Sequence, residues 1–287
     1  MKKKTNLVIL FVGFILSQTY GQQTNSEQTR YTSENKGKIF IYWGGNRGNY
    51  SKSDITFKGK DYDFTLNNVV AHDKPKGYSS DYVNPERMTI PQTNFRLGYF
   101  ISDHYNVSIG LDHMKYVVTQ DQFSNISGSI NLPETETGAS FNGVYANKPI
   151  RLTEDFLTFE HTDGLNYINI GVARVDDVSK VFGIKNTDVF QINLTEGISG
   201  GLLYPKTNAA ILGKKRHDDF HISGYGLSLK GGLNFTFFKY FFIQGELKGG
   251  YINMNDIRTT QYPEDGASQH FFFLERIIAV GAIFRIW

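Results

Sequence analysis

The sequence predicts an all-β fold, an eight-stranded antiparallel up-and-down transmembrane β-barrel with long extracellular loops. Three observations carry this reading: apolar and polar residues alternate over eight segments, the connections between segments alternate between short and long, and the chain opens on an export signal. The alternation is plainest over 224–251, "GYGLSLKGGLNFTFFKYFFIQGELKGGY". There Leu227, Leu229, Leu233, Phe235 and Phe237 interleave with Ser228, Lys230, Gly232, Asn234 and Thr236. After Lys239 and Tyr240, Phe241, Ile243 and Leu247 alternate with Gln244, Glu246 and Lys248. A period of two belongs to a strand whose faces meet different surroundings. Lipid on the Leu/Phe face and a polar lumen on the Lys/Glu face satisfy both, and a closed ring pairs every backbone group, as hydrocarbon requires.

The elements follow in order. Lys2, Lys3 and Lys4 precede the apolar run Leu7 to Leu16, and small Gly21 follows, so residues 1–21 read as a cleaved signal peptide. That run is too short to span a bilayer as a helix. Residues 22–36, polar and aperiodic, read as a disordered periplasmic leader, and the barrel is expected over 37–287. Its strands begin with "GKIFIYWGGN", "NFRLGYFI", "YNVSIGLDHMKYVV" and "GLNYINIGVA". They continue with "DVFQINLTEGISGGLL", the two runs above, and "HFFFLERIIAVGAIFRIW". Each is about the 9–11 residues a tilted strand needs to cross hydrocarbon.

Ser102-Asp103-His104 and Lys239-Tyr240 are short turns, whereas 49–92, 121–158, 205–219 and 257–269 are long and polar, with 174–186 intermediate. Short turns face the periplasm in outer-membrane barrels. An even strand count then places both termini there. "DITFKGKDYDFTL" in the first long loop alternates well enough to extend a hairpin above the membrane. Residues 126–132 and 140–145 in the second suggest another hairpin, whose edge suits strand addition by an extracellular ligand. Tyr99, Tyr116, Tyr204, Phe237, Phe238, Tyr240, Phe241, Tyr251 and Trp287 fall where aromatic girdles belong.

Composition narrows the class. The formal charge is +2, and without Lys2, Lys3 and Lys4 the balance is 27 basic against 28 acidic residues, which is no footprint for nucleic acid. There is no cysteine, so neither disulfides nor a lipidated N-terminal cysteine holds the mature chain. The terminal "GAIFRIW", the signal, the strands and the loop asymmetry together resemble the bacterial outer-membrane β-barrel superfamily over 37–287. "KGKDYDFTLNNVVAHD" and "FEHTDGLNYINI" are similar to stretches of exported barrels without a characterised role. The resemblance implies an outer-membrane location among lipid and lipopolysaccharide, and leaves activity open.

Candidate functional residues fall in two sets. Arg96, Lys230, Glu246 and Lys248, with Asp112, share the inward parity and form an expected lumen charge network. His161, Asp163, Asp112 and His113 lie where the second long loop descends into strand four and at the matching height of strand three. A carboxylate-oriented histidine acts as a general base, so these four define an alternative function, a rim-located lipid A or lipid hydrolase using His161. The pattern weakly resembles outer-membrane lipid A deacylases, which use a His and a Ser near the barrel rim, but here Asp163 and not Ser stands two residues after His161. His217, Asp219 and His221 of "RHDDFH" would be too far apart on a strand, about 13 Å end to end, to share one metal. No metal or cofactor is expected; nothing matches a nucleotide fingerprint.

Overall fold

The sequence's alternating segments become strands, and the loops between them contribute further ones. The structure, a computed structural model, describes residues 34–77, 80–82, 91–214 and 219–285. The signal, the leader through residue 33, His217, Asp218 and Trp287 lie outside these. The strands, numbered in chain order, are β1 (Lys38–Tyr50), β2 (Ser53–Gly59), β3 (Tyr62–Val69), β4 (Ala71–His72), β5 (Thr93–Phe100), β6 (Tyr105–Val118) and β7 (Phe123–Ile130). They continue with β8 (Gly143–Arg151), β9 (Leu157–Asp177), β10 (Phe190–Leu203), β11 (Asn208–Ile211), β12 (Gly224–Phe237), β13 (Phe241–Arg258) and β14 (Gly266–Arg285). The intermediate connection carries a 3-10 turn at Ser179–Phe182.

Eight strands close the ring in the order β1-β5-β6-β9-β10-β12-β13-β14, with β14 returning antiparallel to β1. The β12–β13 turn is tight. Phe238 and Lys239 take φ of 53° and 69°, and the Tyr240 N–H donates to the Phe237 carbonyl at 3.1 Å, as in the mirror-image turns that match strand twist.

The other strands extend the ring outward by taking over its free edges. β14 pairs with β1 over Phe273–Arg285, but its first residues, Gly266 to Gln269, pair with β2 instead. From there a sheet continues through β3 and β7 to β8. β11 pairs with the start of β9, and β4 with the end of β6. The "DITFKGKDYDFTL" hairpin is β2–β3, and the second loop's hairpin is β7–β8, whose last strand begins at Gly143.

Inside the ring the side chains form three layers. Phe40, Tyr42, Phe100, Phe242, Ile277 and Ala279 make an apolar layer near the short-turn end. A polar layer follows. Above it lies the largest core, where Ile55, Phe57, Phe64 and Leu66 of the β2–β3 hairpin descend onto Met114, Phe159, Ile252 and Phe271 of the ring. Each such side chain taken from water contributes about 1.5–3 kcal/mol. Among the described residues no helix is long and apolar enough to cross a membrane. The outer wall is apolar where the strands ring the polar layer, with Leu97, Ile109, Ile170, Leu229, Leu233, Ile243 and Ile278 exposed.

One girdle residue is corrected. Tyr116 is fully buried, stacked on Phe271 at 4.9 Å between ring centres, and its hydroxyl meets Ser53 at 3.0 Å. The reason is parity: Tyr116 shares the inward side of β6 with Asp112, Met114 and Val118, and the register shift opposite it takes up its extra residues on β9, between His161 and Leu165.

Candidate functional site

The polar layer is built from strand positions that alternation turns inward. Arg96 on β5 is wholly buried and donates to Tyr42 Oη at 3.1 Å, Ser108 Oγ at 3.1 Å and Asn169 Oδ1 at 2.7 Å. Gly110 makes room for it, since a Cβ there would stand 2.5 Å from the guanidinium. Asn169 and Asn94 in turn donate to the two oxygens of Asp112, at 2.9 and 2.7 Å. Lys248 Nζ reaches Asp112 Oδ2 at 2.6 Å and lies 3.9 Å from Glu246 Oε1. Glu246 is held by Lys230 at 3.0 Å and by Gln244 at 2.8 Å.

Glu275 completes the layer, buried directly across from Lys248 in the β13–β14 register. Arg96, Lys230 and Lys248 are set against the paired carboxylates Asp112 and Glu246, whereas both carboxylate oxygens of Glu275 are buried without a hydrogen-bond partner. Buried charges are tolerated when paired and hydrogen-bonded, and here most polar atoms are shared in one network that crosses the lumen. Asn46 extends it to Asn94 at 2.8 Å and receives Gln92 Nε2 at 3.2 Å. Tyr42, Asn94, Asn169 and Glu275 were not singled out from sequence. Their signal was the parity they share with Arg96, Asp112 and Lys248.

The four residues of the hydrolase reading are not assembled into one site. Asp112 belongs to the lumen network. His113 Nδ1 meets Asn166 Oδ1 at 2.7 Å, and Asp163 accepts from Asn208 Nδ2 at 3.0 Å. His161 is fully buried in the upper core, four residues above Leu165, where the membrane-spanning part of β9 begins. Its Nδ1 faces Thr207 Oγ1 at 2.9 Å, its Nε2 faces Gln269 Nε2 at 3.0 Å, and its ring packs against Phe159 and Tyr116. Burial alone pushes the imidazole down to about 3, so it is neutral at ordinary pH. A buried imidazole whose two nitrogens meet a hydroxyl and an amide has no carboxylate to orient it and no opening to substrate. This geometry gives the hydrolase reading no general base.

His221, of the second histidine cluster, bonds the Asp256 carbonyl at 2.7 Å through Nε2. Among the described residues no three His, Cys, Asp or Glu side chains gather as metal ligands.

A closed eight-strand ring with an apolar outer wall and a polar, side-chain-filled middle defines a transmembrane β-barrel of the bacterial outer-membrane type. Solved structures similar to this chain are outer-membrane proteins. The attachment invasion locus protein Ail of Yersinia pestis is 8% identical over 87% of this chain and 99% of its own, with a TM-score of 0.29. OprG of Pseudomonas aeruginosa is 9% identical over 88% and 99%, with a TM-score of 0.37. Neisserial surface protein A is 10% identical over 84% and 99%, with a TM-score of 0.28. Likeness at this level says nothing of activity. No family model and no curated protein matches the chain.

Proposed function

We propose that the protein is an outer-membrane barrel that conducts no solute and acts through the sheet it presents outside the cell, with the edge of β8 as the binding edge for an extended polypeptide. The observation that supports this is the upper core. The apolar faces of β2, β3 and β7 pack down into the barrel mouth, which seals the lumen and leaves the other end of that sheet standing free. Among the described residues β8 pairs with β7 alone. An unpaired edge offers alternate N–H and C=O groups to an incoming strand. Lys148 and Pro149 guard its second half, as edge residues commonly do, so the accessible stretch is Gly143 to Asn147. Both termini belong in the periplasm, since Lys38 and Arg285 pair at the end of the ring that carries the short turns. Lipid and lipopolysaccharide surround the apolar wall.

Two measurements test the reading. The purified barrel in a planar bilayer is expected to show no stepwise conductance, and steady channels of any size would end the sealed reading. For the edge, random extended peptides displayed on phage are selected against the native protein, then tested on Val144→Pro and Tyr145→Pro. Neighbouring N–H groups point to opposite sides of a strand, so one change removes a free donor and the other a ladder bond. Recovered peptides should lose binding to the variant that keeps its β7 pairing. Failure to enrich any peptide would remove the strand-addition role.

A further inference from the structure

Above the membrane the outer face of β14 loses its apolar character. Phe272 is apolar and exposed, but His270 and Ser268 follow it on the same side, and then Gly266. Gly266 lies between Arg258 of β13 and Lys58 of β2, and Ser268 lies beside Thr56 of β2. Their strand neighbours Phe57, Ile257 and Ala267 are buried in the upper core, which turns this second set outward. A groove of about 610 Å³ lies on the outward face. Thr56, Asn255, Arg258, Gln261, Tyr262 and Ser268 line it, with Gly266 among them. Its size is that of a small-molecule site, about 300–1,000 Å³.

The connection from β13 to β14 is held in place at this groove. Pro263 follows Tyr262, and the Asp265 N–H donates to the Tyr262 carbonyl at 3.1 Å, which closes a turn. Thr260 Oγ1 donates to Asp265 Oδ2 at 2.8 Å, and Lys214 Nζ lies 3.4 Å from the same oxygen. Lys214 Nζ also sits 5.4 Å from the centre of the Tyr262 ring and 5.2 Å from that of Tyr62. A cation over the ring is an attractive contact that fixes the plane of Tyr262. The residue is nonetheless 46% exposed, so an oriented aromatic surface faces the groove. A platform already in place costs a ligand less to bind than a mobile one.

The lining says what kind of ligand fits. Lys58 and Arg258 are its basic residues, against Asp219, Asp256, Glu264 and Asp265. Lys58 faces Asp63 at 3.5 Å and Arg258 faces Asp219 at 3.7 Å. There is no excess of positive charge to hold a sulfate, a phosphate or a sugar acid. An extended polypeptide has no edge to join, because β14 is paired here with β13 on one side and β2 on the other. An acyl chain would meet mostly polar groups. Hydroxyls and carboxamides, which both donate and accept, match the vicinal hydroxyls of a sugar. The exposed tyrosine ring matches the C–H face of a pyranose, apolar against apolar.

We propose that this groove binds a neutral oligosaccharide presented from outside the cell, with Tyr262 stacking on one sugar ring and Thr56, Asn255, Gln261 and Ser268 bonding its hydroxyls. The site is separate from the β8 edge and shares with it only the placement of the sheet outside the cell. The test applies the full-length mature barrel, in a detergent without a sugar head group, to an array of neutral, sialylated and sulfated oligosaccharides. The neutral oligosaccharide retained best is then titrated by calorimetry into the native protein and its variants.

Neutral oligosaccharides should be retained above the sialylated and sulfated ones. Tyr262→Ala should weaken binding about tenfold, some 1.4 kcal/mol, while Tyr262→Phe keeps the ring and most of the affinity. Gly266→Leu should abolish binding by filling the groove: a Cβ there would meet only the Ile257 carbonyl oxygen, at 3.4 Å, so the strand has room for it. It keeps the test decisive if the alanine variant does not fold, as read by heat-dependent gel mobility. Phe123→Ala, which removes an exposed aromatic elsewhere on the same sheet, should change nothing. An array with no neutral ligand overturns the proposal, and so does a preference for the sulfated or sialylated sugars. Equal affinity of the native protein, Tyr262→Ala and Gly266→Leu overturns it too. Peptides selected on the native protein that lose binding to Tyr262→Ala would assign the groove to polypeptide and overturn it as well, whereas peptides lost only on the β8 variants leave the sugar result as it stands.

Discussion

The lower and upper halves of the barrel use the same strands with opposite interiors. On β6 the inward residues run Asn106, Ser108 and Asp112, and then Met114, Tyr116 and Val118. On β13 they run Gln244, Glu246 and Lys248, and then Ile252 and Met254. β14 repeats the change from Glu275 to Phe273 and Phe271. Parity continues through the change; only polarity reverses. Hydrocarbon around the lower half takes apolar side chains on the outside and lets the interior be polar, provided the charges pair. Above the membrane water lies outside, so the apolar face must go inward and be covered, and β2, β3 and β7 cover it. One sheet thus obeys two solvents, and the boundary between them lies between Asp112 and Met114 on β6.

If that comparison is right, the two halves should fail in different ways. The largest effect belongs to the polar layer. Lys248→Ala leaves Asp112 buried with its charge uncompensated and should cost about 3–5 kcal/mol. Adding Asp112→Asn should restore most of it, because the stranded charge goes with it. Urea unfolding in lipid vesicles, followed by Trp43 fluorescence, measures both; a double variant as unstable as the single one would mean that the network works by shape and not by charge.

Next comes the upper core. Leu66→Ala empties part of a fully buried site under the cap and should cost about 2–5 kcal/mol. The loss should appear as protease cleavage within 51–72 while the unheated barrel keeps its folded gel mobility. Simultaneous loss of that mobility would show the halves to be one cooperative unit and would break the comparison.

Alternation carried the ring because it reports which surroundings each face meets, and the belt strands meet two that differ sharply. Leu227, Leu229 and Leu233 are exposed on the outer wall, whereas Glu246 and Lys248 on the neighbouring strand are buried in the lumen. The same signal is silent about the height at which outside changes from lipid to water. Tyr116 therefore read as a girdle residue, although it shares the inward parity of Asp112. The hairpins β2–β3 and β7–β8 were visible as local patterns. Their pairing into one sheet through β14 was not, because Gln269 meeting Ile55 depends on β1 leaving the edge of β14 near Phe273. The His161 reading failed to assemble a site for a related reason: β9 shifts register against β6 between His161 and Leu165, so period-two parity does not hold there, and Asp163 is exposed toward Asn208 while His161 is buried toward Thr207.

Acid should also separate the halves. His161 in the upper core titrates near 3 when folded against about 6.5 when unfolded. Between those values the unfolded chain binds a proton that the native one refuses. Stability of the cap therefore falls as pH drops below about 6.5, by roughly 2 kcal/mol at pH 5, and levels off below about pH 3. Cap cleavage by a protease active across pH 4–7, corrected for its own pH profile, reads this. His161→Gln should flatten the slope, and an unchanged slope would place the titration elsewhere.

The smallest effect isolates what His161 does in the core. Thr207→Val keeps the volume of the side chain but removes the hydroxyl that Nδ1 meets at 2.9 Å, so one ring nitrogen loses its partner while Gln269 still holds the other. The net loss should be about 1 kcal/mol in the cap alone. Because the imidazole is already neutral, its acid sensitivity should persist with the same midpoint and a lower plateau. A larger loss, or a midpoint moved toward neutrality, would mean that Thr207 fixes the protonation state and not merely the orientation of the ring, and the upper core would then share the charge-dependence assigned here to the lower half.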